Sequence, residues 1–251
     1  MHFAYLFMKK KSSRTSNGFT LVELLVVIVI VVVLAALSMS VMARMRNAGD
    51  IAAAVGSLRQ LQTANAAYAA EHAGRYASYQ ITDDKGAIVR WYDSANFLVY
   101  FTGNETQLLD TTTAPTVQAS LLDPTVVRAK KRWYDKITAS YGMNHEWMIS
   151  IGPDANGVTE KYTTVTGVKN PNRTSAFISA TDGAAKYNGR LLWKGADAVE
   201  GKTTDGKMAF RHGGKAVVVY YDGSVGTIRM QDIVRFDVNG GKSNVFWNGT
   251  M

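Results

Sequence analysis

The chain has 251 residues, of which 47% are hydrophobic and 19% are charged, and this composition excludes a chain that is disordered throughout. Its formal net charge is +8, and half of that excess lies in residues 1–18, where Lys9, Lys10, Lys11 and Arg14 have no acidic neighbour. Cysteine is absent, which excludes disulfide bonds and thiolate metal ligands. The length allows one medium-sized domain and an additional element.

A membrane-length apolar run follows the basic segment. Residues 24–43 are 20 consecutive uncharged residues, and as a helix they would span about 30 Å, the thickness of a bilayer's hydrocarbon core. A lone strand in lipid would leave its backbone groups unpaired, so we predict a helix despite the many valines and isoleucines. Four basic residues precede the run and only Arg44 and Arg46 follow closely, so the positive-inside rule places residues 1–18 in the cytoplasm.

An acid stands at the head of this run. The stretch NGFTLVELL, residues 17–25, contains Gly18, Phe19 and Glu23, and it resembles the prepilin signature of type IV pilins and type II secretion pseudopilins. The resemblance implies that prepilin peptidase cuts after Gly18, that the new Phe19 amine is methylated, and that the helix stays on the mature protein. The basic leader, residues 1–18, would then be removed.

The resemblance also implies a role for Glu23. A carboxylate in lipid costs a few kcal/mol or more unless it is protonated or paired. In a pilin-like filament, its partner would be the Phe19 amine of a neighbouring subunit, and such a buried pair would set the register of assembly. The simpler alternative is an acid near the membrane interface, where it reaches water at little cost.

The helical pattern continues beyond the membrane run. Residues 47–72 are rich in alanine, contain no proline and have apolar residues three or four apart. We predict one helix from Phe19 to about His72, ended by Gly74 as a left-handed C-cap. The predicted organisation is a leader at 1–18, a long helix at 19–74 that is transmembrane to about residue 43, and a β-rich head at 75–251 that covers the outer half of the helix.

The head is predicted to consist of strands and loops. Residues 87–93, 148–152, 174–180 and 208–230 are rich in β-branched and aromatic residues and are bounded by turn formers. Asp222-Gly223 between apolar stretches favours a hairpin with a two-residue type I′ turn. The fold class is therefore α+β, with a long N-terminal helix packed on a head that holds a small antiparallel sheet, and the best loop candidate is 110–120.

Two features resemble one branch of the prepilin families. LRQLQTANAAYAAEHAGRY, residues 58–76, ends the long helix, and His212 is followed after nine residues by Asp222-Gly223. Along an extended strand His212 and Asp222 lie roughly 30 Å apart, so we do not expect them to act together. The structural interpretation is that Asp222 shapes a turn and His212 hydrogen-bonds to a loop. The alternative is a contact with a metal or a carbohydrate.

Catalytic and metal-binding patterns are weak. Four acids in the second half of the chain could supply oxygen ligands for Ca²⁺, but no ordered ligand loop such as D-x-[DN]-x-[DN]-G is present. The common hydrolase, zinc-protease and phosphate-binding motifs are absent, and the adjacent residues His145 and Glu146 would face opposite ways on a strand. We therefore predict no enzyme and no cofactor. The four acids are Asp182, Asp197, Asp205 and Asp232.

A basic cluster with interleaved aromatics, RAKKRWYDK, occupies residues 128–136. Such a composition is found at nucleic-acid surfaces, and the cluster could hold DNA. A solvated or subunit-facing loop explains it equally well, and we do not expect nucleic acid to be a principal partner.

Two functions remain at this point. The first is a filament subunit of a type IV pilus or a type II secretion pseudopilus, whose partners are prepilin peptidase, related subunits, the inner-membrane assembly machinery and the lipid bilayer. It would start as a single-pass inner-membrane protein with an extracytoplasmic head, and then join a filament in the periplasm or on the cell surface. The second is a monomeric membrane-anchored binding protein whose head captures a polysaccharide or DNA.

Overall fold

The computed structural model describes residues 19–82, 86–103, 121–133, 140–144, 149–150, 161–181, 183–185, 208–233 and 245–248. Two compact units divide the chain, one ending at Met45 and the other beginning at Arg46. The helices are α1 (Leu21–Glu71), α2 (Ala95–Thr102) and α3 (Pro124–Trp133). The strands are β1 (Gln80–Thr82), β2 (Ile88–Arg90), β3 (Tyr141–Asn144), β4 (Ile149–Ser150), β5 (Lys161–Tyr162), β6 (Ser175–Ser179), β7 (Ala184–Ala185), β8 (Lys215–Tyr220) and β9 (Val225–Arg229).

The long helix predicted from the sequence is confirmed, and its C-terminus differs in one detail. The amide of Gly74 donates to the carbonyl of Ala69, 2.9 Å away, which is the six-to-one bond of a Schellman motif. Gly74 has the predicted left-handed conformation with φ of 76°, but Ala73 before it also has a positive φ of 53°. The residue directly after the helix cap is therefore an alanine in a conformation that usually selects glycine.

The central sheet has five strands in the order β7-β3-β6-β8-β9. Neighbouring strands are antiparallel, as predicted, except that the short β7 runs parallel to β3. Two small antiparallel pairs, β1-β2 and β4-β5, complete the described β-structure. The α+β architecture predicted from the sequence is thus confirmed.

Both faces of this sheet are buried, which explains why β8 is an almost continuous apolar run. Val217 and Val219 point to one face and Val218 to the other, as the two-residue period of a strand requires. The first face packs against α1 and α2 in a core that includes Ala54, Leu58, Leu61, Trp91, Phe97, Tyr141 and Phe177. The second face packs in a core that includes Ile178, Met208, Phe210, Ile228, Ile233 and Trp247.

Two helices in the head were not predicted. Helix α2 ends at Gly103, whose φ is 67° and whose amide donates to the carbonyl of Val99. Helix α3 begins with an N-cap aspartate and a proline at its first position, a combination favourable for a helix start. The basic residues at 128–133 therefore lie on a helix, not on a loop as predicted, while residues 134–136 and the loop predicted at 110–120 lie outside the described residues.

The prediction of a two-residue type I′ turn at Asp222-Gly223 is wrong. A type I′ turn needs a positive φ at both central residues, and of these two only Gly223 has one, at 84°. The amide of Gly223 donates to the carbonyl of Tyr220, and the amide of Tyr220 donates to the carbonyl of Ser224. The connection is thus a three-residue loop, 221–223, with glycine in the left-handed position.

The pattern of a two-residue turn occurs at the other end of β8. His212 and Lys215 exchange two backbone hydrogen bonds of 3.1 and 3.2 Å, and Gly213 and Gly214 between them have φ of 62° and 79°. These are the values that a type I′ turn requires. The turn places His212 opposite Lys215, the first residue of β8.

Candidate functional site

The N-terminus of α1 is capped by reciprocal hydrogen bonds between Thr20 and Glu23. Glu23 Oε2 accepts hydrogen bonds from the amide and the hydroxyl of Thr20, at 2.9 and 2.8 Å, and the amide of Glu23 donates to Thr20 Oγ1 at 3.2 Å. This is a capping box, in which Thr20 is the N-cap and Glu23 the third helical residue. It satisfies two of the backbone donors that a helix leaves unpaired at its start.

The capping box fixes where the Glu23 carboxylate lies relative to Phe19. The helix starts at Leu21, so Phe19 precedes the cap, and this residue is 76% exposed. The Glu23 carboxylate is turned back towards this end by Thr20. Thr20 was not among the residues predicted to be functional, although the spacing T-x-x-E ahead of an apolar run is a known signal for a capping box. Gly18 and the leader lie outside the described residues.

The first half of α1 is apolar on all sides. The helix contains a window of mean hydropathy 3.2, of which no part is buried. Its leucine, isoleucine and valine side chains are about half exposed or more, from Leu21 to Val41. Ser38, one of the few polar residues in this run, donates to the carbonyl of Leu34 at 2.7 Å. By length and composition this helix is able to cross a membrane.

His212 belongs to a buried ionic cluster in the head. Its Nε2 lies 2.8 Å from Oδ2 of Asp123, 89 residues earlier, and both side chains are fully buried. Among the described residues Nδ1 of His212 has no hydrogen-bond partner, so we assign the proton to Nε2, which donates to the carboxylate. The hydrogen bond to a loop that the sequence suggested is therefore a charged contact with the residue that precedes α3.

Neighbouring groups stabilise the ionised form of the buried Asp123 carboxyl. Burial raises the pKa of its carboxyl, but the hydrogen bond from His212 and the positive charge of Arg211 outweigh burial and hold the pKa below its ordinary value of 3.8. The guanidinium of Arg211 donates to the carbonyls of Ser140 and Ala180, at 3.2 and 2.5 Å. Burial lowers the pKa of Arg211 to about 10, with Asp123 opposing the shift. Arg211 is therefore still a cation at neutral pH, and it compensates the buried acid.

Asp222 has a separate role at the far end of the strand. Its Oδ1 accepts from the amide and hydroxyl of Ser224, at 2.9 and 2.6 Å, which shapes the turn. The neighbouring carbonyl of Tyr221 accepts a hydrogen bond of 2.8 Å from Gln62 on α1. The structure therefore does not bring His212 and Asp222 together: His212 contacts the residue that precedes α3, and Asp222 shapes the turn that follows β8.

The calcium candidates are only partly described. Asp182, Asp197 and Asp205 lie outside the described residues, and Asp232 accepts hydrogen bonds from the amide and side chain of Arg229. Within the described ranges no group of three or more histidine, aspartate or glutamate side chains is arranged for a metal ion. His145 and Glu146 also lie outside the described residues.

The described structure thus contains a helix of membrane length with a capped acid at its start. Residues 13–39 match the family model described as the prokaryotic N-terminal methylation motif. The chain thus carries the type IV pilin and pseudopilin signature, whose family is structural, and the motif supports a precursor that prepilin peptidase processes. The match does not extend into the head.

No curated protein matches the chain, and no solved structure matches it either.

Proposed function

We propose that the protein is a structural subunit of a filament of the type IV pilus or type II secretion pseudopilus kind. The observation that carries the proposal is the position of Glu23, which is held by Thr20 at the start of an exposed, membrane-length apolar helix. Residues 13–39, which contain both side chains, match the methylation motif. Assembly, not catalysis, is the action of such a subunit.

The capping box prepares the acid for a partner. A carboxylate has about four acceptor positions, and the amide and hydroxyl of Thr20 occupy two of them. The remaining capacity suits an ammonium group, and the Phe19 amine of a neighbouring subunit supplies one after cleavage at Gly18. Because an unpaired charge in lipid is costly, only a helix that enters in the correct register would be accommodated.

In this proposal residues 1–18 are a cytoplasmic leader that is removed, α1 anchors the subunit in the inner membrane, and the head is extracytoplasmic. The filament would then lie in the periplasm or on the cell surface. Its partners are prepilin peptidase, related subunits and the membrane assembly machinery. The positive charge that precedes the helix supports this orientation.

The experiment compares filaments sheared from cells that express the wild type, Glu23→Ala, Glu23→Gln and Glu71→Ala. Glu71 is a matched control, because it is an exposed acid on the same helix, hydrogen-bonded to Tyr100 at 2.5 Å, well beyond the membrane-length run. We expect wild type and Glu71→Ala in the sheared fraction, and strong loss of both Glu23 variants. Equal yields from all four chains would contradict the proposal.

The alternative from the sequence, a monomeric anchored protein that binds a polysaccharide or DNA, predicts a different outcome. Such a protein would remain in the membrane fraction whatever stands at position 23, and it would retain residues 1–18 as part of its anchor.

A further inference from the structure

The described first half of α3 contacts the head through both apolar and charged side chains. Leu122 and Val126 are buried, and with Val127 they form a small apolar cluster separate from the two cores of the sheet. Two charged contacts, one at the start of α3 and one at Arg128, add to this cluster.

The first contact is made by the N-cap residue. Oδ1 of Asp123 accepts from the amide of Thr125 at 2.9 Å, and the carbonyl of Asp123 accepts from Val126 and Val127. Oδ2 of the same carboxylate accepts from His212 Nε2 at 2.8 Å. One side chain thus caps α3 and binds His212, which lies opposite the first residue of β8, so the position of His212 sets the position of the helix start.

The second contact joins α3 to α1. Nη1 of Arg128 donates to Oδ1 of Asp50 at 2.8 Å, and Nη2 donates to Oδ2, which makes a bidentate pair. The side chain of Asp50 is only 12% exposed, while that of Arg128 is 48% exposed. Arg128 therefore pairs with a largely buried acid near the start of the outer half of α1.

We propose that α3 is a latch on α1, and that His212 is the positioning residue that closes it. We call residues 121–128, together with Asp50 and His212, the α3 latch. His212 fixes Asp123, Asp123 fixes the start of α3, and the fixed helix brings Arg128 to Asp50. When the latch opens, the carboxylate of Asp50 becomes accessible on α1. This inference does not depend on the proposed filament function.

The geometry of the imidazole provides a specific test. The atom that contacts Asp123 is Nε2, and the side-chain amide of glutamine reaches about as far, whereas that of asparagine reaches only as far as Nδ1. In His212→Gln the latch should stay closed, and in His212→Asn it should open. Asparagine is also smaller than histidine and leaves a cavity, so a role in packing alone would lower the protection of β8 together with that of α3 in His212→Asn.

Hydrogen exchange of the full-length chain in detergent micelles measures this opening. We expect the amides of 126–128 to exchange about 10- to 100-fold faster in His212→Asn than in the wild type, as for the loss of a hydrogen bond to a charged group, and nearly at the wild-type rate in His212→Gln. Strands β6 and β8 should keep their protection in both. Equal rates in α3 for the two variants would overturn the proposal.

Asp50→Asn tests the contact of the α3 latch with α1 without disturbing a fully buried residue. We expect faster exchange in α3 and unchanged exchange in β6 and β8, and a smaller additional effect when the substitution is combined with His212→Asn, because both open the same latch. The matched control is Asp232→Asn, which removes an ion pair to Arg229 on the edge strand and should leave α3 unaffected. Unchanged protection of α3 in Asp50→Asn overturns the latch, even if His212→Asn does not fold.

Discussion

The side-chain amide of Gln62 on α1 donates a hydrogen bond of 2.8 Å to the carbonyl of Tyr221, at the tip of the β8-β9 hairpin. Oε1 of Gln62 in turn accepts from Asn65, whose own Oδ1 accepts from the amide of Ala77. All these groups are buried. The network therefore fixes the rotation of the outer half of α1 relative to the sheet.

Replacing Gln62 with methionine should destabilise the head by about 1–3 kcal/mol, because the Tyr221 carbonyl and the Asn65 amide would lose a buried partner. Chemical unfolding of the full-length chain in detergent measures this change in the free energy of unfolding. Gln60→Met is the control, since Gln60 is exposed two residues away, and its effect should stay within about 0.5 kcal/mol. Equal effects of the two substitutions would show that the network contributes nothing.

Ala73→Gly should stabilise the protein by about 0.5–1 kcal/mol. The positive φ of Ala73 is unfavourable for a residue with a Cβ, and the relief exceeds the entropy that glycine adds to the unfolded chain. Thermal unfolding of the two chains gives the comparison. Ala70→Gly, in the last turns of the same helix, should instead destabilise by about 1 kcal/mol. A loss of stability in Ala73→Gly would be inconsistent with the geometry of this C-terminus.

The stability of the head should fall in acid because of Asp123. His212, Arg211, the Thr125 hydroxyl and, at longer range, Arg128 all favour its charged form, and the pKa of this carboxyl is lower in the folded than in the unfolded chain. Its contribution is therefore complete above the unfolded value of about 3.8 and is lost as pH falls through the folded pKa.

Unfolding titrations from about pH 6 down to about pH 2, a range that includes the unfolded value and the region below it, measure this contribution. We expect the wild type to lose stability towards the acid end more steeply than Asp123→Asn, which cannot change charge at this position. Parallel curves for the two chains would mean that the contacts of Asp123 do not favour its ionised form.

Thr20→Val keeps the shape of the side chain and removes the hydroxyl from the capping box. The helix start should lose about 1 kcal/mol, and Glu23 should keep only the backbone donor. We expect sheared filaments in reduced yield, above that of Glu23→Ala, because the acid remains. Thr63→Val is a suitable control, since Thr63 is an exposed helix residue whose hydroxyl bonds only to the carbonyl of Arg59. A wild-type yield from Thr20→Val would show that the capping box is not needed for assembly.

Of the local features, the sequence predicted the long helix α1 but not the start of α3 or the capping box. The apolar run and the alanine-rich continuation predicted α1 because both depend on neighbours three or four residues apart. The start of α3 is equally local, with Asp123 followed by proline, but its apolar pattern is short and is interrupted by basic residues. The capping box of Thr20 and Glu23 is also local, and it was not predicted.

Contacts between distant segments were not predictable. Asp222-Gly223 favours a two-residue turn in isolation, but the amides of Tyr221 and Asp222 donate to the carbonyls of Thr174 and Pro171, and these contacts accompany a longer loop. The His212–Asp123 pair likewise depends on the packing of the sheet against the segment before α3. The spacing of His212, nine residues and Asp222-Gly223 is compatible with a strand between the two residues. It does not indicate that His212 contacts Asp123 or that Asp222 contacts Ser224.

The most direct test of the central claim is the intact mass and N-terminal sequence of the protein extracted from membranes and from sheared filaments of its native host. The account predicts a chain that begins at Phe19 and carries one additional methyl group on its amine, present in both fractions. A chain that keeps residues 1–18 and is found only in the membrane would contradict it.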